Sequence, residues 1–370
     1  MTQTDRHESI RRRGARPLMG EFRARTVRTS TPVKASLELT KRCDLRCVHC
    51  YVGEPLTSEI PIGRFVELID ELSAEGCLAV TLTGGEVGLR DGWLEVAAQA
   101  KRRRLLLSVL TSGTAFSESD LVELIRLRPA RVAVSLYGST ADRHDAVTCV
   151  RGSFDKSIAT LQRLRSAGVT CRVASVLMPQ NIDDFRGIAA VAKDLGCDFT
   201  FDPTVGPRAD GTDDVVAHRL DSRRLSEFYL SEIVRDLSKE GRIIASPRTP
   251  EAHAAANCLA GLTTLFVDAQ GDIYPCMGFP PALGNIVEDS FGDIWWSAEA
   301  SRHREVMRSQ LPECASCDVL AFCTVRCPRL ALVEDGDVLG PSARACEMAH
   351  LTVEMREEYQ RLVVCEQTTS

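Results

Sequence analysis

Short apolar runs alternate with longer amphipathic segments between residues 35 and 202. In the first amphipathic segment, Phe65, Leu68, Ile69 and Leu72 recur at the spacing of one face of a helix. Spacing of this kind predicts helices over about 62–75, 92–104, 117–127, 154–167 and 182–195. The apolar runs between them predict strands at about 35–40, 78–83, 105–111, 131–136, 170–177 and 198–201.

This alternation predicts βαβ units, and therefore a parallel sheet with right-handed crossovers. Glycine turn signals, such as Gly84-Gly85 and Gly113, separate the elements. Six such units fit the segment, so we predict an α/β fold with a partial (β/α)6 TIM-like barrel, short of the eight units of a full barrel. In a parallel barrel the reactive groups lie at the carboxyl ends of the strands.

The chain divides into five predicted parts. An Arg-rich, flexible leader covers residues 1–34, and the partial barrel covers 35–220. A linking helix region follows over 221–257, where Pro- and Gly-containing loops give way to a helical pattern. A small cysteine-rich α+β domain covers 258–350, and a C-terminal helix and tail cover 351–370.

Composition narrows the class of protein. Of the 370 residues, 44% are hydrophobic and 26% are charged, which is ordinary for a soluble globular protein. The net charge of −6 argues against binding to nucleic acid or an anionic membrane. Residues 1–31 differ, with eight Arg against three acidic residues. We interpret them as a solvated leader, and alternatively as a docking arm for an acidic peptide. The chain shows neither a membrane-spanning stretch nor a secretory signal, so we expect a cytoplasmic protein.

The 15 cysteines are the most informative residues for the function of the protein. An odd number in a long chain of a reducing compartment favours metal or redox chemistry over disulfides. Ten of them fall into two groups, and the first, Cys43, Cys47 and Cys50, directly follows the first predicted strand. Three thiolates supply three of the four iron ligands of a four-iron, four-sulfur (4Fe–4S) cluster. A zinc site or buried free thiols are the alternatives, although zinc sites usually show C-x2-C pairs.

The segment from Cys43 to Tyr51, CDLRCVHCY, resembles the signature of the radical S-adenosylmethionine (SAM) superfamily. The resemblance implies that SAM binds the open iron. An electron, from a donor such as flavodoxin or ferredoxin, then cleaves SAM to methionine and a 5′-deoxyadenosyl radical, which removes a substrate hydrogen. It also implies that His49 takes the place of an aromatic residue that contacts the adenine, and that Tyr51 lies in the SAM site.

Further SAM contacts follow from the resemblance, all at predicted strand ends. Gly84-Gly85-Glu86 matches the family's GGE motif, which binds the SAM ammonium group, although Val87 stands where the family often has Pro. Where many relatives have an Arg that contacts SAM, this chain has Thr148, and Arg151 is the predicted substitute. The remaining predicted contacts belong to the turn after the third strand and to the end of the fourth strand: Ser112 and Ser135.

The second group of cysteines resembles the SPASM domain, an extension that houses two auxiliary Fe–S clusters, here predicted to be 4Fe–4S. A zinc-binding knot is the alternative. Some relatives have an eighth cysteine, for which only His253 offers a substitute here. By the resemblance, auxiliary cluster I binds Cys258, Cys276 and Cys327, and auxiliary cluster II binds Cys314, Cys317, Cys323 and Cys346.

The resemblance places the chain in the PqqE-like peptide-maturase group and favours modification of a ribosomally made peptide by crosslinking, thioether formation, epimerisation or oxidation. A separate peptide-recognition protein is the expected partner. One alternative is a small-molecule enzyme, either a sugar or aminocyclitol dehydrogenase or epimerase or a tetrapyrrole-modifying enzyme, and another is a non-catalytic metal-binding scaffold. Met277 argues against sulfatase maturation, which uses an Asp at that position. Cys149 is the candidate hydrogen-atom donor, and no other catalytic residue is assigned.

Overall fold

A computed structural model describes residues 18–53, 58–208, 211–231, 258–309, 311–320, 323 and 327–368. Within these ranges the strands form one sheet in the order β6-β5-β4-β3-β2-β1-β7-β8-β9. The strands are β1 (Lys34–Glu38), β2 (Ala79–Thr83), β3 (Leu106–Thr111), β4 (Arg131–Ser135), β5 (Cys171–Val176), β6 (Asp198–Asp202), β7 (Thr264–Val267), β8 (Asp272–Tyr274) and β9 (Gly284–Asn285).

The helices that connect β1 to β6 are α2 (Ile62–Ala74), α3 (Trp93–Arg102), α4 (Glu118–Leu127), α5 (Ala141–Thr148), α6 (Ser153–Ser166) and α7 (Phe185–Asp194). The five predicted helices are therefore confirmed, whereas α5 was not predicted. The helices outside this region are α1 (18–29), α8 (Ser222–Tyr229), α9 (Phe291–Trp295), α10 (Ala298–Arg308), α11 (Pro312–Ala315), α12 (Pro328–Asp335) and α13 (Ala343–Thr368).

The first six strands pair in parallel with their neighbours in chain order, which confirms the predicted barrel units. The cysteine-rich segment does not form a sheet of its own. β7 pairs in parallel with β1, so that Leu37 lies opposite Val267, and β8 and β9 continue the sheet in antiparallel pairing. The two predicted domains thus share one continuous sheet.

The strands present two different faces. Ala35, Leu37 and Leu39 belong to the main core, which packs against the helices. Because side chains alternate along a strand, Glu38 lies on the opposite, inner face of the partial barrel. On β3 the inner-face residue Leu110 is 44% exposed, although it is apolar. The inner face therefore borders open space at the carboxyl ends of the strands, where a substrate could lie.

The core is held mainly by helix faces such as that of α2. Phe65, Leu68, Ile69 and Leu72 are fully buried there, as the periodicity predicts. Burying one such side chain contributes about 1.5–3 kcal/mol. This burial fixes the helical layer behind the strands and so positions the strand ends.

The structure describes helices in three of the predicted parts outside the barrel. Part of the predicted flexible leader is helix α1, whose end is fixed because Trp295 Nε1 donates to Ser30 O at 2.8 Å and Arg308 donates to Val27 O at 2.9 Å. The C-terminal helix begins at Ala343, before the predicted 351. In the linking region the structure describes α8, and residues 232–257 lie outside the described ranges. Among the helices described, none has the length and apolarity to cross a membrane.

Candidate active site at the carboxyl ends of the strands

The loop after β1 carries the first cysteine group, and α5 shapes it. Arg46 N donates to Thr148 O at 3.0 Å and Val48 N donates to Val147 O at 3.1 Å. Cys50 N donates to Cys47 O at 3.1 Å, which closes a turn between two of the thiols. The helix that was not predicted therefore provides the carbonyl groups that hold this loop, called below the cluster loop (residues 40–52).

The three thiols of the cluster loop are close enough to influence one another. Burial raises the pKa of Cys43 to about 11, and burial together with the charges of Cys50 and Cys43 raises the pKa of Cys47. Burial also raises the pKa of Cys50. Three neighbouring thiolates are unfavourable without a bound cation, and a metal centre supplies that charge. This donor set therefore fits an iron–sulfur cluster.

The two kinds of metal centre considered for these thiols differ in how the thiolates bind. A zinc ion requires its thiolates to converge on one centre, whereas in a 4Fe–4S cluster each thiolate binds a different iron. Within the described ranges, no group of three His, Cys, Asp or Glu side chains is placed to hold a metal ion.

Gly84 and Gly85 lie against the backbone of the cluster loop. A Cβ added to Gly84 would lie 2.4 Å from Thr40 O, and one added to Gly85 would lie 2.4 Å from Arg42 O. Gly85 N and Glu86 N donate to these two carbonyl groups at 2.8 Å. The glycines thus allow β2 and the cluster loop to approach closely. Their predicted contact with SAM stays a prediction beside this packing role.

Glu86 is fully buried and joins the ends of β2 and β3. Its Oε1 accepts from Thr111 Oγ1 at 2.6 Å and from Gly88 N at 3.1 Å. Its Oε2 accepts from Ser112 N at 2.7 Å and from Ser112 Oγ at 2.5 Å. Burial raises the pKa of Glu86, and these hydrogen bonds oppose that effect. Since four donors fill the acceptor positions of a carboxylate, the predicted SAM contact of Glu86 would require Ser112 to release one oxygen.

A chain of hydroxyl groups connects this network to the cluster loop. Ser112 Oγ lies 2.6 Å from Thr114 Oγ1, which donates to Asp44 Oδ1 at 2.9 Å. Asp44 stands between two of the cysteines, yet its partner could not be inferred from the sequence because 70 residues separate it from Thr114. The network orients the amino-terminal half of the cluster loop relative to β3.

Aromatic side chains form the wall behind the thiols. The ring of His49 lies edge-on to Tyr137 at 4.6 Å, and its buried Nδ1 has no hydrogen-bond partner. Burial lowers the pKa of His49 to about 4, so the ring is neutral at pH 7. Tyr51 lies near Thr83, and Tyr137 lies near the predicted SAM contact Ser135. A neutral ring with an unpartnered nitrogen fits the predicted role of His49 toward a flat base.

The two remaining predicted residues flank the end of α5. Cys149 follows that helix with a left-handed φ of 56°, and its exposed thiol is near enough to Cys47 to raise the pKa of that residue. Arg151 is exposed in the turn before α6. Thr148, in contrast, is buried and bonds to Ser153 Oγ at 2.7 Å, facing away from solvent. Arg151 therefore remains available for the predicted contact, which stays a prediction.

Glu38 was not singled out in the sequence and lies at the end of β1, immediately before the cluster loop. Its side chain is buried on the inner face, and burial raises its pKa to about 7, assisted by the charges of Asp268 and Glu59 and opposed by Lys41. The sequence signal for Glu38 is an acidic residue that alternates with core residues along the first predicted strand. The site therefore includes a carboxyl group that titrates near neutral pH.

We expect Glu38→Gln to stabilise the metal-free protein in a pH-dependent way. Because the folded-state pKa exceeds the ordinary value of 4.5, wild-type stability is fully present below that value and is lost as the pH rises through about 7. The variant should gain about 3 kcal/mol at about pH 8 and little at about pH 5. Urea unfolding at both pH values measures the difference, with exposed Glu67→Gln as control. An equal effect at both pH values would contradict the assignment.

The second cysteine group begins at the β7–β8 hairpin, which the sequence predicts as two strands around a Gln-Gly turn. Cys276 follows β8, and burial raises its pKa to about 12, together with the charges of Cys258 and Cys327. Cys258 and Cys327 thus lie within electrostatic range of Cys276, and their joint binding of auxiliary cluster I stays a prediction. The predicted substitute ligand His253 lies outside the described residues.

The thiols predicted for auxiliary cluster II are half-buried. Cys317 N donates to Cys314 O at 3.1 Å, which forms a turn between these two residues. Cys323 N donates to Leu320 O at 3.1 Å, and Cys346 lies in the first turn of α13. The convergence of all four thiols on one cluster stays a prediction.

Two family models match the chain. The model described as the radical SAM superfamily matches residues 37–192, and the SPASM model, described as an iron–sulfur cluster-binding domain, matches residues 258–318. The first match extends from β1 into α7 and includes the cluster loop, and the second contains the β7–β8 hairpin with Cys258, Cys276, Cys314 and Cys317.

Curated relatives match across both regions. The AdoMet-dependent heme synthase of Methanosarcina barkeri is 28% identical over 84% of this chain and 95% of its own length. The antilisterial bacteriocin subtilosin biosynthesis protein AlbA of Bacillus subtilis is 28% identical over 77% of this chain and 66% of its own length, so this chain spans about two thirds of that protein. The mycofactocin maturase MftC of Mycolicibacterium smegmatis is 29% identical over 80% of this chain and 78% of its own length.

Solved structures share the fold. Streptococcus suis SuiB bound to S-adenosylmethionine superposes with a TM-score of 0.69 over 86% of this chain and 77% of its own length, at 17% identity. Native anSMEcpe with bound AdoMet superposes with a TM-score of 0.68 over 92% of this chain and 100% of its own length, at 15% identity. At these identities the likeness concerns the fold alone.

Proposed function

We propose that this chain, which belongs to the radical SAM superfamily and carries a SPASM domain, modifies a ribosomally made peptide. The modification is a crosslink, a thioether, an epimerisation or an oxidation. The observation that carries this proposal is the match to relatives that are named as biosynthesis or maturation proteins. These are AlbA, MftC and the sporulation killing factor maturation protein SkfB of Bacillus subtilis, over 71–80% of this chain.

The chain is a radical SAM enzyme, and its domains bind a 4Fe–4S cluster with SAM and auxiliary iron–sulfur clusters. When bound, the first cluster and SAM supply a 5′-deoxyadenosyl radical that abstracts a substrate hydrogen. Cys43, Cys47 and Cys50 would hold that cluster, and Glu86 with Ser112 orients the strand ends beside it. His49 offers a neutral ring to the adenine.

The inner face of the barrel is open enough for a peptide-sized substrate. Leu110, next to the last residue of β3, is 44% exposed, and Ser108 precedes it on the same face. An exposed apolar residue and a hydroxyl group near the carboxyl end of β3 favour a peptide segment as the substrate on the side of the cluster loop. A separate peptide-recognition protein and an electron donor such as flavodoxin or ferredoxin complete the proposal.

A small-molecule substrate is the second candidate. The heme synthase of Methanosarcina barkeri matches over 95% of its own length, which favours a tetrapyrrole precursor in particular. Sulfatase maturation is not supported, because Met277 stands where an Asp base is expected.

Mass spectrometry separates the two candidates. The reconstituted enzyme, dithionite and SAM are incubated without oxygen, with a candidate precursor peptide or with a tetrapyrrole haem precursor. A crosslink, thioether or oxidation appears as loss of two hydrogens from the peptide, and an epimerisation appears as uptake of solvent deuterium. The Cys47→Ala variant provides the background. Conversion of the tetrapyrrole with an unchanged peptide would overturn the peptide proposal.

For Cys149 we propose the role of hydrogen donor to a substrate radical, which the variant Cys149→Gly tests. Glycine adopts the observed positive φ without strain, so the fold should be retained or slightly stabilised. The role belongs to the epimerisation among the proposed modifications, since only that reaction returns a hydrogen to the substrate radical. For it we expect 5′-deoxyadenosine formation to continue, whereas deuterium from the solvent no longer enters the product. Deuterium incorporation equal to that of the wild type would contradict the role.

A further inference from the structure

Two arginine side chains lie between the cluster loop and the segments of auxiliary cluster I. Arg208 Nη1 donates to Cys50 O at 2.8 Å and to Val52 O at 3.3 Å. Its Nε and Nη2 bond to the two carboxylate oxygens of Asp214 at 2.7 and 2.9 Å. Arg208 therefore fixes the carboxyl-terminal end of the cluster loop, and its charge is balanced by Asp214.

Arg329 connects the auxiliary segments to Arg208. It follows Cys327 by two residues, and its Nε donates to Gly278 O, two residues after Cys276, at 2.6 Å. Its Nη2 donates to Pro207 O at 2.8 Å and to Arg208 O at 3.3 Å. One guanidinium group thus binds both the segment of Cys276 and the loop of Arg208. The same residue lies two positions after Cys327 in the sequence.

Unlike the charge of Arg208, the charge of Arg329 has no balancing carboxylate in the described part of the chain. Its hydrogen bonds go to carbonyl groups, and within the described ranges no carboxylate forms an ion pair with it. A cluster ligated by three thiolates is anionic, and a half-buried cation beside it is attracted strongly because the local dielectric constant is low. A cluster at this site would therefore hold Arg329 in place.

We propose that Arg329 and Arg208 are positioning residues of a relay that couples auxiliary cluster I to the cluster loop. The path runs from the segments of Cys276 and Cys327 through Arg329, the backbone of residues 207–208 and the guanidinium group of Arg208 to Cys50 O. Loss of auxiliary cluster I releases Arg329, and the displacement reaches the ligand loop of the first cluster. The coupling is a free energy shared by two sites, so it is measurable from either one.

A double-mutant cycle tests the relay without any substrate, so its outcome is independent of the proposed function. The midpoint potential of the first cluster is measured by EPR-monitored redox titration with SAM in wild type, Cys276→Ala, Arg329→Met and the double variant. Iron analysis confirms that Cys276→Ala loses one cluster. We expect Cys276→Ala to shift this potential in the wild-type background, and at least half of the shift to disappear in the Arg329→Met background. An equal shift in both backgrounds, or no shift in the wild type, would overturn the proposal.

Three further variants sharpen the test. Arg329→Lys keeps the charge but cannot donate to all three carbonyl groups, so it should retain only part of the coupling. Arg208→Met interrupts the relay at its other end, and it replaces Arg329→Met in the cycle if that variant fails to bind iron at the auxiliary site. Arg126→Met removes an exposed arginine of α4 and should leave the coupling unchanged. Loss of coupling in Arg126→Met would contradict a specific relay.

Discussion

Cys47→Ala is expected to lose one cluster, about four irons per chain, and all measurable formation of 5′-deoxyadenosine. The reason is that Cys47 lies between Cys43 and Cys50, and the charges of both residues act on its thiol. Two remaining thiols cannot retain a cluster that also leaves one iron open for SAM. Iron and sulfide analysis after anaerobic reconstitution, followed by chromatography of the SAM products, measures both effects.

Cys77→Ala is the matched control for this experiment. Cys77 is a buried free cysteine outside both groups, so its replacement tests the loss of a thiol without loss of a ligand. It should keep the full iron content and cleave SAM at the wild-type rate. Retention of 5′-deoxyadenosine formation by Cys47→Ala would refute the assignment of the first cluster.

Gly85→Ala is expected to prevent assembly of the first cluster almost as completely. The added Cβ would lie 2.4 Å from Arg42 O and 2.7 Å from Lys41 O. Both neighbours are backbone atoms of the cluster loop, so no side-chain rotation relieves the contact. The loop must move, and the hydrogen bond from Glu86 N to Arg42 O is lost with it. We expect at least a 100-fold decrease in SAM cleavage, about 3 kcal/mol, because misplacement by an ångström is sufficient for such a loss.

Gly63→Ala makes the same chemical change where space is free. Nothing lies within 4 Å of its added Cβ, and the residue is in helix α2. Gly63 is the second residue of this helix, so alanine there should leave the stability unchanged or slightly raised, and the variant should be fully active. Thermal unfolding and iron content compare the pair. A Gly85→Ala protein with normal iron content would show that the loop tolerates the displacement.

The barrel elements were predictable because their periodicity reflects burial. Each strand and amphipathic helix places a regular set of apolar residues against the core, as Phe65 and Leu68 do on α2. Helix α5 lacks this signal because it has only eight residues and buries just His144, Val147 and Thr148. Its last residues accept hydrogen bonds from the backbone of the cluster loop, and such contacts leave no periodic pattern.

The candidate site was predictable where its chemistry restricts residue type. Thiolates are the usual ligands of iron–sulfur clusters, so the spacing of Cys43, Cys47 and Cys50 marks the cluster loop directly. The supporting residues are different, because a carbonyl group accepts from any suitable donor. Arg208 lies 158 residues from Cys50 and Arg329 lies 121 residues from Arg208, and both pairs meet only through the fold. The residues that surround the ligands can therefore be identified only from the structure.

The pairing of β7 with β1 also bears on how the chain can be divided. β1 is an interior strand of the sheet only because β7 covers the side opposite β2. Cutting the chain before residue 258 would turn β1 into an exposed edge strand, with unpaired backbone groups of the kind that promote aggregation. The auxiliary segment therefore acts as a protective cover for the barrel, in addition to any part it has in the chemistry.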